Sequence, residues 1–592
     1  MKRRRLAVLL FVAALMAATV LSGCGGGGGG SSGEAPDAPA PIANEPVVSD
    51  ERVADPNGTI VYGMDGSPNT TYNFYTGTST RVHETVDTMF DKLVFVDGYG
   101  NVGPRAAESW EWSDDGKEIT FHLRENYFHD GEPVTAEDWV WTIKMVCSPE
   151  IHAATVTTKI CQFLEGVDPL TGNELSEDSA GVEAIDDLTF KMKLNDVYNR
   201  WSFELSTLSY IVVLPKHCFE NEDGAMKSDI DVFNGSPEYW AAPIGSGSCK
   251  FVEDSLDDYT KVEAWDKYYG YGPDGPGFKY IVLQYVSDAN QIGSKIVAGD
   301  LDIAYPGVSE EDAQFYTGNE SIYMVESATE VVQIDINFDC ALVPKSIRLA
   351  VNYAMDKQFI LESIYGGRGV VGGGSIVMSS YPYFIKEGEN RDIEKATAYV
   401  QAAIDNGSWT EGRALQLNVP NDTYEACANI VKAGCEEAGL KVDVVRRDSI
   451  PTIQQNMFFQ STEGYDAVLW SYAPTIDPAK VGIYLDYDHG VTQKFFSRWG
   501  VLQEDLDDAK AYDESFNAWK KAGTDAEQKT LSEEFQKIEN LGCPCISIAN
   551  TRAVYASGVN VGDTSNENGW IDVTSVNYYN NDIWNWVCYE KA

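Results

Sequence analysis

The hydrophobic pattern of the chain changes between two periods. Residues 119–123 and 189–194 alternate apolar and polar side chains, which is typical of strands with one buried face. Residues 346–361 and 425–439 follow the helical period instead; the second ends at Gly439 and is followed by a predicted strand at 441–445. Strands mixed with helices in this way predict an α/β fold.

The stretch FHDGEPVTAEDWVW, residues 128–141, places His129 beside acidic neighbours and so resembles an acid–base site. Local structure accounts for the same residues. Asp130-Gly131 is a turn dipeptide, and Thr135 followed by Asp138 is a variant capping box. The helix that follows then has one apolar face, formed by Trp139, Ile143 and Val146. We therefore predict a strand–turn–helix junction with a structural role.

The N-terminus has the anatomy of an export signal. Basic residues 2–5 precede an apolar run at 6–21, and the run ends in Leu-Ser-Gly-Cys at 21–24. This resembles the bacterial lipobox, in which Cys24 would be diacylated; ordinary cleavage nearby is the alternative. We predict a signal peptide over residues 1–23. Residues 24–57, rich in Gly, Ser, Ala and Pro, would then be a lipid-anchored flexible linker reaching roughly 30 Å.

The net charge of the chain limits the classes of molecule that the folded body can bind. The formal net charge is −47, and −51 without the four basic residues of the leader. Such a surface excludes nucleic acid and anionic lipid as partners of the folded body, so membrane contact is expected only through the N-terminal lipid. About 535 residues follow the linker, more than one core supports, and without repeats or further linkers the domains are expected to be interleaved.

Motifs for metal, cofactor or catalytic chemistry are absent from the sequence. The six histidines are scattered and CxxC pairs are lacking, so no metal or cofactor is expected. Neither GxSxG nor HExxH occurs, and Gly245-Ser246-Gly247 is explained by a tight backbone turn. We expect no enzyme activity and no catalytic residue. Of the eleven cysteines, Cys427/Cys435 and Cys147/Cys161 are candidate local disulfides.

Residues 104–141, PRAAESWEWSDDGKEITFHLRENYFHDGEPVTAEDWVW, closely resemble the signature of the family 5 extracellular solute-binding proteins, the peptide- and nickel-binding components of ABC importers. The shared features are Ser-Trp, Asp-Gly, Phe-x-Leu-Arg, Phe-His-Asp-Gly and Pro-x-Thr-Ala. Further similar segments occupy residues 181–194, 214–217, 243–251, 296–304, 347–360 and 465–478. The resemblance thus extends from about residue 58 towards the C-terminus.

The resemblance implies a two-lobed periplasmic-binding-protein-like fold (class II or type C), with an extra subdomain on the first lobe and a ligand cleft between the lobes. The boundaries expected from it are residues 58–95, 211–300 and 540–592 for lobe I, 96–210 for the extra subdomain and 301–539 for lobe II.

The same resemblance implies a function. The protein would capture peptides outside the cell membrane and deliver them, as a monomer, to an ABC permease with its ATPase subunits. A nickel chelate or an oligosaccharide is the alternative solute, and a surface hydrolase is a more distant possibility. Family members that hold a free peptide amino terminus use an aspartate at a position that corresponds here to Ala473.

The ligand-contacting residues expected on this basis lie in three segments. Packing within a lobe is the alternative role for all of them except the arginine, for which a surface loop is the alternative setting. The candidates are Trp470, Tyr472, Asp477, Asn73, Tyr75 and Arg368.

Overall fold

Two mixed sheets and a smaller antiparallel sheet organise the chain in a computed structural model. The model describes residues 43–44, 52–65, 72–75, 80–97, 100–149, 160–167, 181–220, 237–255, 258–308, 310–327, 330, 332–373, 375–386, 391–447, 453, 456, 464–472, 477–479, 485, 497–563 and 583–589. Cys24 and the predicted signal peptide lie outside these ranges. No helix within them is long and apolar enough to span a membrane.

The strands, in chain order, are β1 Ala43–Asn44, β2 Thr59–Asp65, β3 Val94–Val96, β4 Val102–Pro104, β5 Ala107–Trp112, β6 Glu118–Leu123, β7 Val182–Asp186, β8 Thr189–Lys193, β9 Cys249–Ser255, β10 Tyr259–Ala264, β11 Tyr280–Val286, β12 Ile303–Val308, β13 Ile322–Glu326, β14 Val332–Phe338, β15 Gly369–Val371, β16 Leu415–Val419, β17 Val442–Arg446, β18 Ala467–Tyr472, β19 Cys545–Thr551, β20 Val554–Gly558, β21 Val561–Asp563 and β22 Trp586–Cys588.

The α-helices are α1 Thr80–Met89, α2 Ala136–Val146, α3 Arg200–Ser206, α4 Pro237–Ala241, α5 Ile292–Ala298, α6 Glu310–Phe315, α7 Lys345–Ala354, α8 Lys357–Tyr365, α9 Ile393–Asp405, α10 Asp422–Glu437, α11 Leu506–Trp519 and α12 Asp525–Gly542. Short 3₁₀ helices occupy Ile160–Gln162, Leu208–Tyr210, Lys216–Phe219, Ala289–Gln291 and Ile583–Asn585.

The larger mixed sheet defines lobe I and has the strand order β1-β13-β20-β12-β2-β11-β10-β9. A four-stranded antiparallel sheet, β5-β6-β8-β7, packs on α2 beside it. Both belong to one continuous apolar core, in which the alternating strand β6 buries Ile119, Phe121 and Leu123. The small sheet is therefore an extension of lobe I with which it shares its core.

The second mixed sheet defines lobe II, with the order β15-β19-β14-β18-β16-β17. It has a separate apolar core, to which α7, α9, α10 and α11 contribute. The α/β architecture predicted from the hydrophobic pattern is confirmed.

Among the described strands, the chain passes between the two large sheets twice, from β13 to β14 and from β19 to β20. Lobe II is thus one continuous insertion, 332–551. The boundaries expected at 301 and 540 differ from this sheet membership, because β12 and β13 complete the first sheet and β19 completes the second. Pairing between strands distant in sequence decides the division, and local composition does not mark it.

One predicted helix is wrong in its extent. The pattern at 346–361 predicts a single helix, but the structure has α7 and α8 with a break at Met355–Asp356. The Asp356 side chain accepts a hydrogen bond from the amide of Phe359 at 3.0 Å and so caps the start of α8. The helix predicted at 425–439 is observed as α10 and ends before Gly439, whose φ is +86°.

Cysteine pairing also differs from expectation. Cys427 and Cys435 are free thiols two turns apart within α10, both fully buried, where a helix holds their side chains too far apart to join. The side chain of Cys161, the expected partner of Cys147, lies outside the described residues.

The stretch 128–141 forms the predicted strand–turn–helix junction. Thr135 donates both its backbone amide and its hydroxyl to Asp138, at 2.9 and 2.7 Å, which forms the capping box of α2. His129 accepts the amide of Gly245 through Nδ1 at 3.3 Å and contacts the carbonyl of Gly247 through Nε2 at 3.1 Å. A Cβ at Gly245 would lie 1.9 Å from the carbonyl oxygen of Met89, so only glycine fits at this position. The His129 ring therefore stabilises a segment that packs closely against the backbone of Met89.

His129 should make stability depend on pH. Removal of the ring from water lowers the pKa of His129 to about 4. The neutral form is the folded one, so its contribution to stability is complete above pH 6.5 and is lost as the pH falls towards 4. We expect His129→Ala to lower stability at pH 7 by about 2 kcal/mol and to flatten this pH dependence, measured by urea unfolding. His122→Ala in β6 is the matched control, and an equal loss in both variants would contradict the bracing role.

Candidate functional site

We call the β13–β14 and β19–β20 connections the crossing segments. In both large sheets, the parallel strands have their carboxyl ends on the side where these segments lie. In lobe I, β2, β11 and β12 are parallel and end on the side where β20 begins, since Val308 pairs with Val554. In lobe II, β16, β17 and β18 are parallel and end where β14 begins, since Tyr472 pairs with Gln333. The carboxyl ends of parallel strands are the usual place for ligands in open α/β sheets, so we place the candidate site here.

An ion-pair network ties the two crossing segments together. Arg552 contacts Glu326 at 3.3 Å and Glu330 at 3.2 Å, while Arg368 contacts Glu326 at 3.2 Å. The amide of Ser327 donates to the carbonyl of Ala553 at 2.9 Å. The network joins residues of β13, of the β19–β20 connection and of the loop before β15, and so fixes the geometry at the base of the cleft.

A second contact between the lobes lies at α3. Asp477 is fully buried and accepts hydrogen bonds from the hydroxyls of Ser206 and of Ser202, the latter at 2.8 Å. The amide of Asn199 donates to the carbonyl of Lys520 at 2.8 Å, and the ring centroids of Trp201 and Tyr381 are 6.0 Å apart. The two lobes therefore touch at the crossing segments and again at α3.

Trp470 and Tyr472 stand at the end of β18, as the candidate site requires. Trp470 is 3% exposed and belongs to the lobe II core, so its ring is largely withdrawn into the lobe. The side chain of Tyr472 lies outside the described residues. Their shared strand ends at the cleft, but the described contacts of Trp470 are those of a core residue.

Asn73 and Tyr75 follow β2 and are buried. The Asn73 side chain accepts the amide of Tyr75 at 3.0 Å, and the Tyr75 hydroxyl donates to the carbonyl of Val212 at 2.6 Å. Burial raises the pKa of Tyr75, which keeps the phenol neutral. These are contacts within lobe I, and a role of either residue in ligand binding stays a prediction.

Arg368 was expected either as a ligand contact or in a surface loop, and it is 6% exposed in the ion-pair network. Its carbonyl also accepts the amide of Arg552 at 3.4 Å. The partner Glu326 lies 42 residues away in sequence, which is why no local pattern indicated the pair.

Sequence reasoning missed two amide side chains at the crossing edge of lobe II. Asn550, in β19, pairs across strands with Gln333 of β14. Both are buried, and both atoms of the Asn550 amide and Oε1 of Gln333 have no hydrogen-bond partner among the described residues. Buried amides with unused donors and acceptors are suited to hold a polar ligand. No sequence motif signals them, because strand pairing creates the arrangement.

A buried polar layer continues from these amides into lobe II. Asp335 accepts a hydrogen bond from Gln333 at 3.2 Å. Deeper in the lobe, Glu539 accepts hydrogen bonds from Ser375 at 2.6 Å and from the amide of Ile376 at 2.6 Å. Burial raises the pKa of Glu539 to about 7 and that of Asp335 well above its usual value. Glu539 anchors the 375–376 segment to α12.

Most of the chain matches one known protein family. The model of the "Bacterial extracellular solute-binding proteins, family 5 Middle" matches residues 101–493. The chain belongs to this family. The resemblance predicted from residues 104–141 is thereby confirmed, and the role of this family 5 protein is to bind an extracellular solute.

Individual relatives of this family 5 protein agree. Heme-binding protein A of Haemophilus influenzae is 26% identical over 426 residues, which cover 68% of this chain and 73% of that protein. The dipeptide-binding protein of Escherichia coli is 25% identical over 402 residues, covering 65% and 71% respectively. The structure of oligopeptide-binding protein AppA from Bacillus subtilis in complex with a nonapeptide superposes with a TM-score of 0.68 and 20% identity, covering 91% of this chain and 100% of that one. The predicted fold type is confirmed.

Replacement of Arg368 separates a structural from a ligand-binding role. We expect Arg368→Gln to lower the free energy of unfolding of the ligand-free protein by about 1–3 kcal/mol, because the removed guanidinium is buried and its loss leaves the partly buried Glu326 with one fewer partner. Arg446→Gln is the control, because it removes a surface pair with Asp422 and should change stability by less than about 1 kcal/mol. If Arg368→Gln leaves the stability of the ligand-free protein unchanged, the result would instead support direct contact between Arg368 and a ligand.

Glu539 should make the free energy of unfolding fall as the pH rises, whereas His129 makes it fall as the pH decreases. Its folded pKa, about 7, lies above the ordinary value of 4.5, so its contribution is complete below pH 4.5 and is lost as the pH rises through 7. Glu539→Gln should remove a loss of about 3 kcal/mol over that interval, seen as a flatter unfolding free energy between pH 4.5 and 7.5. Equal slopes for the two proteins would show that Glu539 is ionised in the fold.

Proposed function

We propose that this protein captures peptides between its two lobes and delivers them to an ABC permease. The observation that carries the proposal is the similarity to the dipeptide-binding protein of Escherichia coli along most of both chains. The partners are the permease and its ATPase subunits, and the protein acts as a monomer. Lobe closure around the bound solute would be the signal that the permease reads.

The geometry at the cleft supports a peptide as the solute. A peptide main chain offers an amide donor and a carbonyl acceptor at each residue. The unused amide atoms of Asn550 and Gln333 offer the complementary groups, beside the ends of β14 and β18. Recognition through main-chain atoms gives affinity without selecting particular side chains. Tyr472 remains a proposed contact, with Trp470, Asp477, Asn73, Tyr75 and Arg368 shaping the walls from behind.

We place the protein on the outer face of the cell membrane, anchored through a lipid on Cys24 and the linker that follows it. The linker expected over residues 24–57 ends earlier than that, because β1 already pairs with β13 at Ala43 and Asn44. We also propose that it has no enzyme activity. Ser246, the serine of the Gly-Ser-Gly turn, is fully buried, and His129 is occupied by the backbone of Gly245 and Gly247. Neither is placed to attack a substrate.

Haem is the second candidate solute, favoured by the similarity to heme-binding protein A of Haemophilus influenzae. The family resemblance adds a nickel chelate and an oligosaccharide to the candidate solutes. The relatives therefore support the binding role more strongly than they support one solute.

The solute can be identified directly. Native mass spectrometry of the protein as purified should show a ladder of bound peptides. Peptides of two to nine residues should stabilise the emptied protein by about 3 kcal/mol at a concentration a hundredfold above Kd. Haemin, nickel–histidine and oligosaccharides serve as competitors in the same thermal-shift series. Stabilisation by one of these and by no peptide would overturn the proposal.

Asn550 offers a test of the site itself. Asn550→Ala should weaken peptide binding about tenfold, which corresponds to about 1.4 kcal/mol, by calorimetry. Its effect on ligand-free stability should be small, because the amide makes no described hydrogen bond. Asn352→Ala, a buried amide in α7, is the matched control. Equal affinities of Asn550→Ala and the unaltered protein would remove Asn550 from the site.

A further inference from the structure

A histidine, an aspartate and a cysteine meet on the surface of the lobe I body. One ligand atom each from Asp130, His217 and Cys218 lie within 4.8 Å of one another. The His217 Nε2 and Asp130 Oδ2 atoms are 2.8 Å apart. We call these residues the Asp130–His217–Cys218 cluster. None of them belongs to the crossing segments or to the strand ends that border the cleft.

The backbone fixes the aspartate of this cluster. Asp130 lies in the turn closed by the bridge between Tyr127 and Pro133, where Gly131 has a φ of +100°. Its Oδ1 accepts the amide of Glu132 at 3.2 Å, which leaves Oδ2 directed at His217. The carboxylate is thus oriented by its own turn, independently of the histidine.

The other two ligands come from the 3₁₀ helix Lys216–Phe219. The His217 ring packs edge-on against Phe128, with 5.5 Å between the ring centroids, and the amide of Cys218 donates to the carbonyl of Pro215 at 3.0 Å. His217 and Cys218 are adjacent in sequence, and His217 is 87 residues from Asp130. Two rigid segments therefore bring three metal-binding side chains together.

Two lysines lie near the cluster, one of them, Lys267, with its Nζ 4.0 Å from the position that a Cβ of Gly131 would occupy. Lys216 Nζ lies 3.8 Å from Glu137, and Lys267 Nζ lies 5.3 Å from the ring centroid of Trp265. Asp130 and His217 are each about a third exposed, so an ion can reach them from solvent. The strongly acidic protein surface also favours the approach of a cation.

The donor set suits zinc. An imidazole nitrogen, a thiolate sulfur and a carboxylate oxygen are zinc ligands, whereas calcium and magnesium take oxygen alone. Tetrahedral bonds of about 2.0–2.3 Å set neighbouring ligand atoms about 3.4–3.6 Å apart. The present spacing, at most 4.8 Å and 2.8 Å between the histidine and the aspartate, reaches that arrangement by shifts of about 1 Å.

We propose that the Asp130–His217–Cys218 cluster binds one zinc ion, with water in the fourth position. Binding replaces the Asp130–His217 hydrogen bond by two metal bonds and releases the proton of the Cys218 thiol to solvent. The site is independent of the solute cleft and does not rest on the proposed transport role. It also departs from the expectation, based on local spacing, that the chain has no metal site.

Cobalt provides the direct probe. The full-length mature protein, purified without a polyhistidine tag and freed of metal with a chelator, should take up one equivalent of Co²⁺. The bound ion should give the visible spectrum of tetrahedral cobalt and a near-ultraviolet thiolate charge-transfer band. Zn²⁺ should displace it with unchanged stoichiometry, and calorimetry then gives the zinc affinity.

The variants assign the ligands. Cys218→Ser should abolish the thiolate band and weaken zinc binding at least about tenfold, and His217→Ala and Asp130→Asn should each weaken it comparably. His122→Ala, which alters a histidine outside the cluster, should bind zinc as the unaltered protein does. Circular dichroism and thermal melting without metal report whether each variant is folded.

Two results would overturn the proposal. One is the absence of a saturable zinc equivalent in the unaltered protein. The other is full zinc affinity in a folded His217→Ala/Cys218→Ser double variant, which would locate the ion elsewhere, including the solute cleft. Zinc affinity that is unchanged in Asn550→Ala would separate this site from the cleft, so failure of one proposal leaves the other open to its own test.

Discussion

The passage of the chain between the two large sheets is the constraint on which the rest of the structure depends. Lobe II is inserted between two neighbouring antiparallel strands of lobe I, β13 and β20. Both connections therefore lie side by side, at the end of the sheet where β13 ends and β20 begins. Glu326, Glu330, Arg368 and Arg552 neutralise one another there. Glu330 and Arg368 are buried, where an unpaired charge is costly, and the ion pairs hold the two connections side by side. The same edge collects the carboxyl ends of the parallel strands, so the constraint that joins the lobes also creates the cleft.

Contacts on both sides of the cleft have different characters. The crossing side contains the covalent connections, whereas the α3 side is noncovalent throughout: hydrogen bonds to Asp477, packing between Trp201 and Tyr381, and an exposed ion pair between Asp196 and Lys521. Noncovalent contacts of this kind can separate while the crossing segments remain intact. A solute held between the lobes would add to the α3 side. The free energy of solute binding would then favour the closed arrangement of the lobes over the open one.

Local features were predictable from the sequence, and features that depend on distant pairing were not. The strand β6, the helix α10 and the Thr135–Asp138 capping box each follow from residues close together along the chain. Sheet membership of β12, β13 and β19 depends on partners hundreds of residues away, so no local pattern indicates which sheet each of these strands joins. The candidate site shows the same limit, because Asn550 and Gln333 become neighbours only when β14 pairs with β19. Likewise, spacing rules for metal ligands overlook a set such as Asp130 with His217, 87 positions apart.

The insertion of lobe II has a consequence for how the protein acquires its structure. Strand β20 lies in the interior of the first sheet, between β13 and β12, and β19 lies in the interior of the second, between β15 and β14. The second sheet cannot close until the chain has been made as far as residue 551, and the first sheet not until residue 558. The small sheet β5–β8 closes within residues 107–193 and can form far earlier. A chain that ends before residue 545 therefore lacks a central strand of each large sheet, although it contains every strand of the small sheet.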